Sequence, residues 1–199
     1  GKIPPFIATL GAMKILRSVT QQFMQSSSPK VPTGFQQIAR VKVGGQMFMP
    51  ILYWLLIALV LYIVSKKTVF GRHVFAVGSN EKTSRLSGIN VNRVKLGVYA
   101  LMGAVVAIAA VLQVSRIGAM DPANAGSGYE LDSIAAVIVG GTSMSGGKGS
   151  VVGTVFGMLI IAVMNNLLNL LGVPPFLREA FKGAIIIAAV LLQCKSSDN

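Results

Sequence analysis

The sequence is poor in the residues that most catalytic and metal sites require. Its 199 residues include one cysteine, Cys194, and one histidine, His73. A single thiol excludes an intrachain disulfide and a cysteine-rich metal site, and one histidine among basic loop residues completes neither a Ser-His-Asp set nor a metal cluster. Acidic residues are also scarce, with 6 Asp and Glu against 18 Lys and Arg. We therefore expect neither an enzyme nor a resident cofactor.

The low charge content excludes most soluble folds. Charged residues make up 12% of the chain and hydrophobic residues 53%, whereas a soluble domain carries about 25% charged residues. Three long blocks carry no charge, at 48–64, 96–114 and 151–173. Because a bilayer span needs about 20 mostly apolar residues, these blocks predict membrane helices. Shorter apolar blocks, which fit short spans, half-helices or core helices, lie at 3–13, 133–144 and 183–194.

The net charge of +12 is spread between the apolar blocks and has no interleaved aromatic platform, which argues against nucleic acid. Segment 65–95 holds seven Lys and Arg residues against one acid, so the positive-inside bias places it in the cytoplasm. Segment 115–133 has three acids against Arg116 and is the expected outer loop. Segment 17–47 departs from this map, because it is basic although alternation across 48–64 would place it outside.

One glycine-rich stretch, GGTSMSGGKGS at 140–150, invites comparison with a phosphate-binding loop. That loop needs Gly, four residues, Gly-Lys, and then Ser or Thr. If Gly147-Lys148 were the pair, Thr142 would replace the first glycine and Gly149 the final hydroxyl residue. Two required parts are missing, so we do not expect this loop to bind ATP.

Two groups of glycines predict structure instead. One group interrupts a hydrophobic segment and predicts a turn or broken helix at membrane depth, which requires protein or a water cavity to satisfy the backbone. Its members are Gly140, Gly141, Gly146 and Gly147. The other group recurs every four residues, on one helical face where small residues let membrane helices approach closely. It consists of Gly149, Gly153 and Gly157.

Polar residues within the long blocks are few. Asn165, Asn166 and Asn169 lie in the block 151–173, and such amides either bond between helices or line a translocation path. The long blocks contain no acid or base, which argues against a proton-coupled secondary transporter.

Segment 70–93 contains the signals of a short helix. Ser79 or Asn80 can cap its start, and Glu81 falls in the first turn, where the helix dipole favours an acid. Gly88 can end the helix in a left-handed conformation. We expect a helix of about two turns over 80–87, at the cytoplasmic surface.

The block G-x-N-x-x-x-x-R-x-S-G resembles the cytoplasmic loop of bacterial ABC-transporter permeases of the ribose/galactose/xylose class. Its residues are Gly78, Asn80, Arg85, Ser87 and Gly88. Stretches 4–11, 126–157 and 168–173 resemble the same family, so the likeness covers nearly the whole chain. It implies an all-α, polytopic transmembrane helix bundle with short or broken helices, in the bacterial inner membrane.

The resemblance also implies that 1–199 is one permease domain, from the C-terminal part of a longer permease, that hydrolyses nothing itself. Implied partners are a second permease subunit, cytoplasmic ABC ATPase subunits, a periplasmic or extracellular sugar-binding protein and membrane lipid. The loop 65–95 would carry a coupling helix that contacts the ATPase through the five residues of the matched block. Family members often have Ala-Ala before the arginine, where this chain has Thr83-Ser84.

Other functions share parts of this pattern. A branched-chain amino-acid ABC permease would have the same architecture and a different substrate. A passive channel would not depend on an ATPase, and an inactive truncated permease would not transport. The sugar is not identified by the sequence, because it contains no recognisable carbohydrate-contacting set.

Overall fold

The computed structural model describes residues 5–25, 27, 30–40, 48–174, 177–178, 180–181, 183–185 and 187. Within these ranges the regular structure is helical and no strand occurs, which confirms the all-α class. The helices are α1 (Pro5–Met24), α2 (Thr33–Arg40), α3 (Met49–Lys67), α4 (Val69–Ser79), α5 (Glu81–Leu86), α6 (Val91–Ile117), α7 (Tyr129–Val139) and α8 (Val151–Leu170). Most of the short apolar block 183–194 lies outside the described residues.

Helices α3, α6 and α8 are long and apolar enough to cross a membrane, with mean hydropathies of 1.9, 2.1 and 2.1. They coincide with the three long charge-free blocks, as predicted. Their most apolar stretches are 0%, 0% and 11% buried within the chain. Because a helix that is apolar on all sides must be covered by lipid or protein, these faces belong in a bilayer or against further helices.

The chain divides into two compact units, and the first comprises described residues within 1–52 and 106–127. Here α2 packs against the end of α6. The buried Ser115 hydroxyl donates to the Phe35 carbonyl at 2.9 Å and accepts from the Ala39 amide at 3.0 Å. The Arg40 guanidinium donates to the carbonyls of Arg116 and Ile117, at 3.0 and 3.1 Å. Arg40 thereby satisfies carbonyls that a helix end leaves unpaired.

Two arginines of segment 17–40 bind backbone carbonyls of segment 115–133. Arg17 donates to the carbonyls of Ala123 and Ala125, at 2.7 and 3.3 Å, as Arg40 does to the end of α6. Two of the basic residues of this segment therefore bind backbone carbonyls of the expected outer loop.

The second unit comprises described residues within 53–105 and 128–199, and helices α7 and α8 form its core. Ala135 and Ala136 of α7 and Ile161 of α8 are buried together. A Cβ atom on Gly157 would clash with the carbonyl oxygen of Ala136, and one on Gly153 would clash with that of Gly140. The two helices therefore meet backbone to backbone, as small residues permit in membranes.

Glycines also hold α4 in the second unit. Gly71, in the first turn of α4, is buried against the carbonyls of Val64 and Ser65 near the end of α3. Gly97 of α6 lies under the ring of Phe70, so that an added Cβ would be 2.8 Å from it. Helix α4 was not predicted from the sequence. It forms where these glycines allow it to pack closely against α3 and α6.

We expect Gly157→Ala to destabilise the protein, because the added methyl group has no space beside the Ala136 carbonyl. Overpacking of this kind costs about 1–3 kcal/mol. Gly103→Ala, in α6 with nothing within 4 Å of the added Cβ, is the control and should be neutral or stabilising. Thermal unfolding in detergent measures both, and equal melting temperatures would contradict the close contact.

Candidate coupling site

The short helix predicted over 80–87 forms over Glu81–Leu86. The Oδ1 atom of Asn80 accepts from the Thr83 amide at 3.0 Å, which caps the first turn. Gly88 has a φ of +81° and its amide donates to the Arg85 carbonyl at 3.1 Å, which ends the helix. The local signals in the sequence were therefore sufficient to define α5.

Asn80 alone joins α4 to α5. Its amide donates to the Ala76 carbonyl at 3.0 Å and closes α4, while its carbonyl accepts from the Ser84 amide at 3.0 Å and opens α5. Asn80 is therefore both the last cap of α4 and the first cap of α5. A displacement of α5 therefore bears directly on the end of α4.

The carboxylate of Glu81 fixes α5 to the start of α6. It accepts from Lys95 Nζ at 2.7 Å and from Arg85 at 3.2 Å. The Lys95 hydrogen bond, more than Arg85, lowers the pKa of Glu81 below its ordinary value. Sequence reasoning assigned Glu81 to the helix dipole and missed Lys95, because Lys95 lies beyond the turn that ends α5.

The five residues of the matched block lie within 78–88, where α4 meets α5, and we call this segment the corner. They have different roles there. The Arg85 side chain is 64% exposed. The Ser87 hydroxyl donates to the Thr83 carbonyl at 3.0 Å, so Ser87 and Asn80 bond within the corner. Leu86, which sequence reasoning missed, is 90% exposed at the end of α5. A leucine in an otherwise polar short helix is the sequence signal that could have identified Leu86 as a contact residue.

Gly78 faces the glycine-rich loop. A Cβ on Gly146 would clash with the Gly78 carbonyl oxygen, and one on Gly147 would lie 2.9 Å from Ser79 Cα. Gly146 and Gly147 have φ values of +85° and +73°, in the left-handed region. The turn predicted at these glycines is present, since α7 ends at Val139 and helix resumes at Val151.

The remaining predicted residues lie on or beside α8. Gly149 precedes the Ser150 cap of that helix, so only Gly153 and Gly157 share the helical face. An added Cβ on Gly149 would instead lie 3.1 Å from the Thr142 side chain. The Oδ1 atom of Asn165 is enclosed and has no hydrogen-bond partner among the described residues.

Asn166 and Asn169 are exposed on α8. Their amides lie outside the packed α7–α8 contact, on surfaces that the described residues leave uncovered.

An open pocket of about 440 Å³ lies beside the corner. Phe70 and Val94 give it an apolar side, and Gly88, His73 and Arg93 give it a polar one. His73, the single histidine, therefore lies on α4 and lines the pocket with residues at the end of α5 and the start of α6.

Comparison with known proteins identifies the class to which these features belong. The family described as branched-chain amino acid transport system / permease component matches residues 2–190. The chain belongs to this family of permeases, and with its three apolar helices it is a multi-pass membrane protein.

The chain is similar to sugar permeases in particular. It is 44% identical over 200 residues to the ribose import permease protein RbsC of Bacillus subtilis (strain 168), covering 99% of this chain and 62% of that protein. It is 42% identical over 201 residues to RbsC of Escherichia coli (strain K12), covering 98% and 62%. Identity to the galactose/methyl galactoside import permease protein MglC of Escherichia coli (strain K12) is 40% over 197 residues, covering 96% and 58%. The chain thus spans about three fifths of the length of these relatives. No solved structure matches it.

We expect α5 to loosen as pH falls. Because the folded pKa of Glu81 is lowered, its stabilising effect is complete above the unfolded pKa and is lost as pH falls through the folded value. Hydrogen exchange of amides 81–88, corrected for the intrinsic pH dependence of exchange, measures this loss.

Glu81→Gln should remove the pH dependence at α5 and leave exchange there fast at all pH values. Glu130→Gln, which changes a carboxylate in the first turn of α7, serves as the control and should retain it. A wild-type pH profile identical to that of Glu81→Gln would show that the Lys95 and Arg85 contacts do not hold α5.

Proposed function

We propose that the chain is the greater part of a membrane-spanning permease of an ATP-driven importer for simple sugars. Its relatives are named for ribose and for galactose or methyl galactoside, and identity of 40–44% over nearly the whole chain supports a sugar. The ATP chemistry belongs to a partner, since the one glycine-rich loop lacks two parts of the phosphate-binding motif. The chain itself hydrolyses nothing.

The observation that carries this proposal is the capped helix α5, which presents a cation and an apolar side chain away from the chain. Arg85 and Leu86 are 64% and 90% exposed, as side chain and residue respectively. Arginine is enriched among interface hot spots, and an exposed leucine offers apolar surface that a partner can bury. We assign α5 as the coupling helix, with Arg85 and Leu86 entering the ATPase.

The other residues of the matched block shape that contact. Asn80 and Ser87 hold the two ends of α5 with their side-chain hydrogen bonds, and Gly88 supplies the left-handed turn. Gly78 completes the ATPase-facing corner. The basic surplus of segment 65–95 favours an acidic groove on the cytoplasmic ATPase.

ATP binding would close the ATPase subunits and displace α5, and the helix bundle would change from inward- to outward-facing. Such a change requires two states of the permease that bind the ATPase with different affinity. A second permease subunit and lipid would cover the bare faces of α3 and α6. A sugar-binding protein would deliver substrate at the outer surface.

The translocation path is proposed along α8. The enclosed Oδ1 of Asn165 has no hydrogen-bond partner among the described residues, and it would become an acceptor for a sugar hydroxyl or water when the bundle changes state and exposes it. Asn166 and Asn169 extend the row of amides along the same helix. These side chains would bind and release hydroxyl groups without the charge that the membrane disfavours.

We expect Arg85→Glu to lower copurification with the ATPase of a ribose importer by at least about tenfold, the loss typical of an interface hot spot. The permease is expressed as this chain alone and joined to the portion of the Bacillus subtilis relative that the match leaves uncovered. Leu86→Asp should act in the same direction without breaking the Arg85–Glu81 pair.

Arg116→Glu is the matched control, because it reverses another exposed arginine in the last turn of α6, at the predicted outer end. It should copurify like wild type. Equal copurification of all variants would overturn the assignment of α5 and favour a passive channel or an inactive permease. Uptake of labelled ribose against labelled leucine separates a sugar importer from a branched-chain amino-acid importer.

A further inference from the structure

The glycine-rich loop and the α4–α5 corner touch through their backbones. Gly146 lies against the Gly78 carbonyl, and Gly147 against Ser79. In the opposite direction, a Cβ on Gly78 would be 3.0 Å from the Gly147 nitrogen. No side chain separates these four residues. A displacement at one side of such a contact reaches the other with little slack, because packed groups deform poorly.

Both sides of the contact are internally bonded. In the loop, the Ser143 amide donates to the Lys148 carbonyl at 3.0 Å, and the Gly146 amide donates to the Ser143 carbonyl at 3.2 Å. In the corner, Asn80 closes α4 and opens α5. Neither side therefore yields easily when the other is displaced.

The loop is also bonded to the helices that it connects. The Ser150 hydroxyl accepts from the Gly153 amide at 3.2 Å and caps α8. The Thr142 amide donates to the Val137 carbonyl at 3.1 Å, at the end of α7. Since α7 and α8 meet at Gly153 and Gly157, a displacement of the loop acts on the pair.

We propose that Gly146 and Gly147 are positioning residues through which displacement of α5 reaches α7 and α8. This inference rests on the proposed function, because it assumes that an ATPase moves α5. Arg85 and Leu86 bind the partner, whereas the two glycines bind none. They transmit the movement to the helix that carries the asparagine row. A physical contact of this kind is what coupling between distant sites requires.

Gly141→Ala is the control that separates the effect of the steric contact from the effect of backbone strain. Its φ of +81° is close to the +85° of Gly146. A Cβ on Gly141 meets nothing within 4 Å, whereas one on Gly146 meets the Gly78 carbonyl. Alanine therefore strains the left-handed backbone equally at both positions, and only at Gly146 does it also push the corner away.

The test reconstitutes the permease, joined as above to the uncovered portion of the Bacillus subtilis relative, in proteoliposomes with the ATPase and sugar-binding protein of a ribose importer. It measures ATPase binding and ribose uptake per ATP hydrolysed. Gly146→Ala should bind ATPase like Gly141→Ala and wild type, and its uptake per ATP should fall about tenfold, within the usual range of coupling effects. Gly141→Ala should keep near wild-type uptake.

Gly78→Ala supplies a graded variant in case Gly146→Ala fails to fold. Its Cβ meets Gly147 at 3.0 Å, which a small shift relieves, so a smaller loss in the same direction is expected. Equal uptake per ATP for Gly146→Ala and Gly141→Ala, with normal ATPase binding, would overturn the transmission role alone. Loss of ATPase binding in Gly146→Ala as large as in Arg85→Glu would assign the loop to docking instead. Wild-type permease that binds no ATPase would overturn the proposed function and this role with it.

Discussion

Direct backbone contact at glycine is the constraint on which the second unit depends. Helices in a bilayer gain nothing from excluding water from one another, so their association relies on close packing and hydrogen bonds. Gly153 and Gly157 allow α8 to reach the backbone of α7, and Gly71 allows α4 to start against the end of α3. Gly146, which lies in a loop, likewise packs directly against the backbone of Gly78. Each contact is between main chains, whose positions are set by capped or hydrogen-bonded elements rather than by rotamers.

These contacts explain which parts of the fold were predictable. A charge-free run of about 20 residues has one ready physical explanation, so α3, α6 and α8 were evident from composition. Helix α5 was evident because its cap, its first-turn acid and its terminal glycine are neighbours in sequence. Helix α4 was not evident, because glycines at 71 and 78 weaken helix propensity, and its formation depends on contacts with α3 and α6.

In the candidate site, too, the features that depend on neighbouring residues were predictable and those that depend on distant contacts were not. Asn80 and Gly88 were recognisable because their capping roles are local, whereas Ser87 was identified only by the resemblance to the permease family. The meeting of Gly78 with Gly146 was not, because it joins segments far apart in sequence that no period or motif relates. The exposure of Leu86 and the bond between Lys95 and Glu81 likewise depend on how α5 lies against α6.

The single-residue joint at Asn80 limits how this region can change over evolution. Connections between helices usually accept insertions, because their backbone is exposed and loosely bonded. Here the same residue ends one helix and begins the next. One inserted residue would separate the two caps and change the direction of the following helix, because Asn80 itself is extended. Arg85 and Leu86 would then point in a different direction. Substitutions can vary the chemistry of the corner without moving its helices, whereas a change in its length would redirect them.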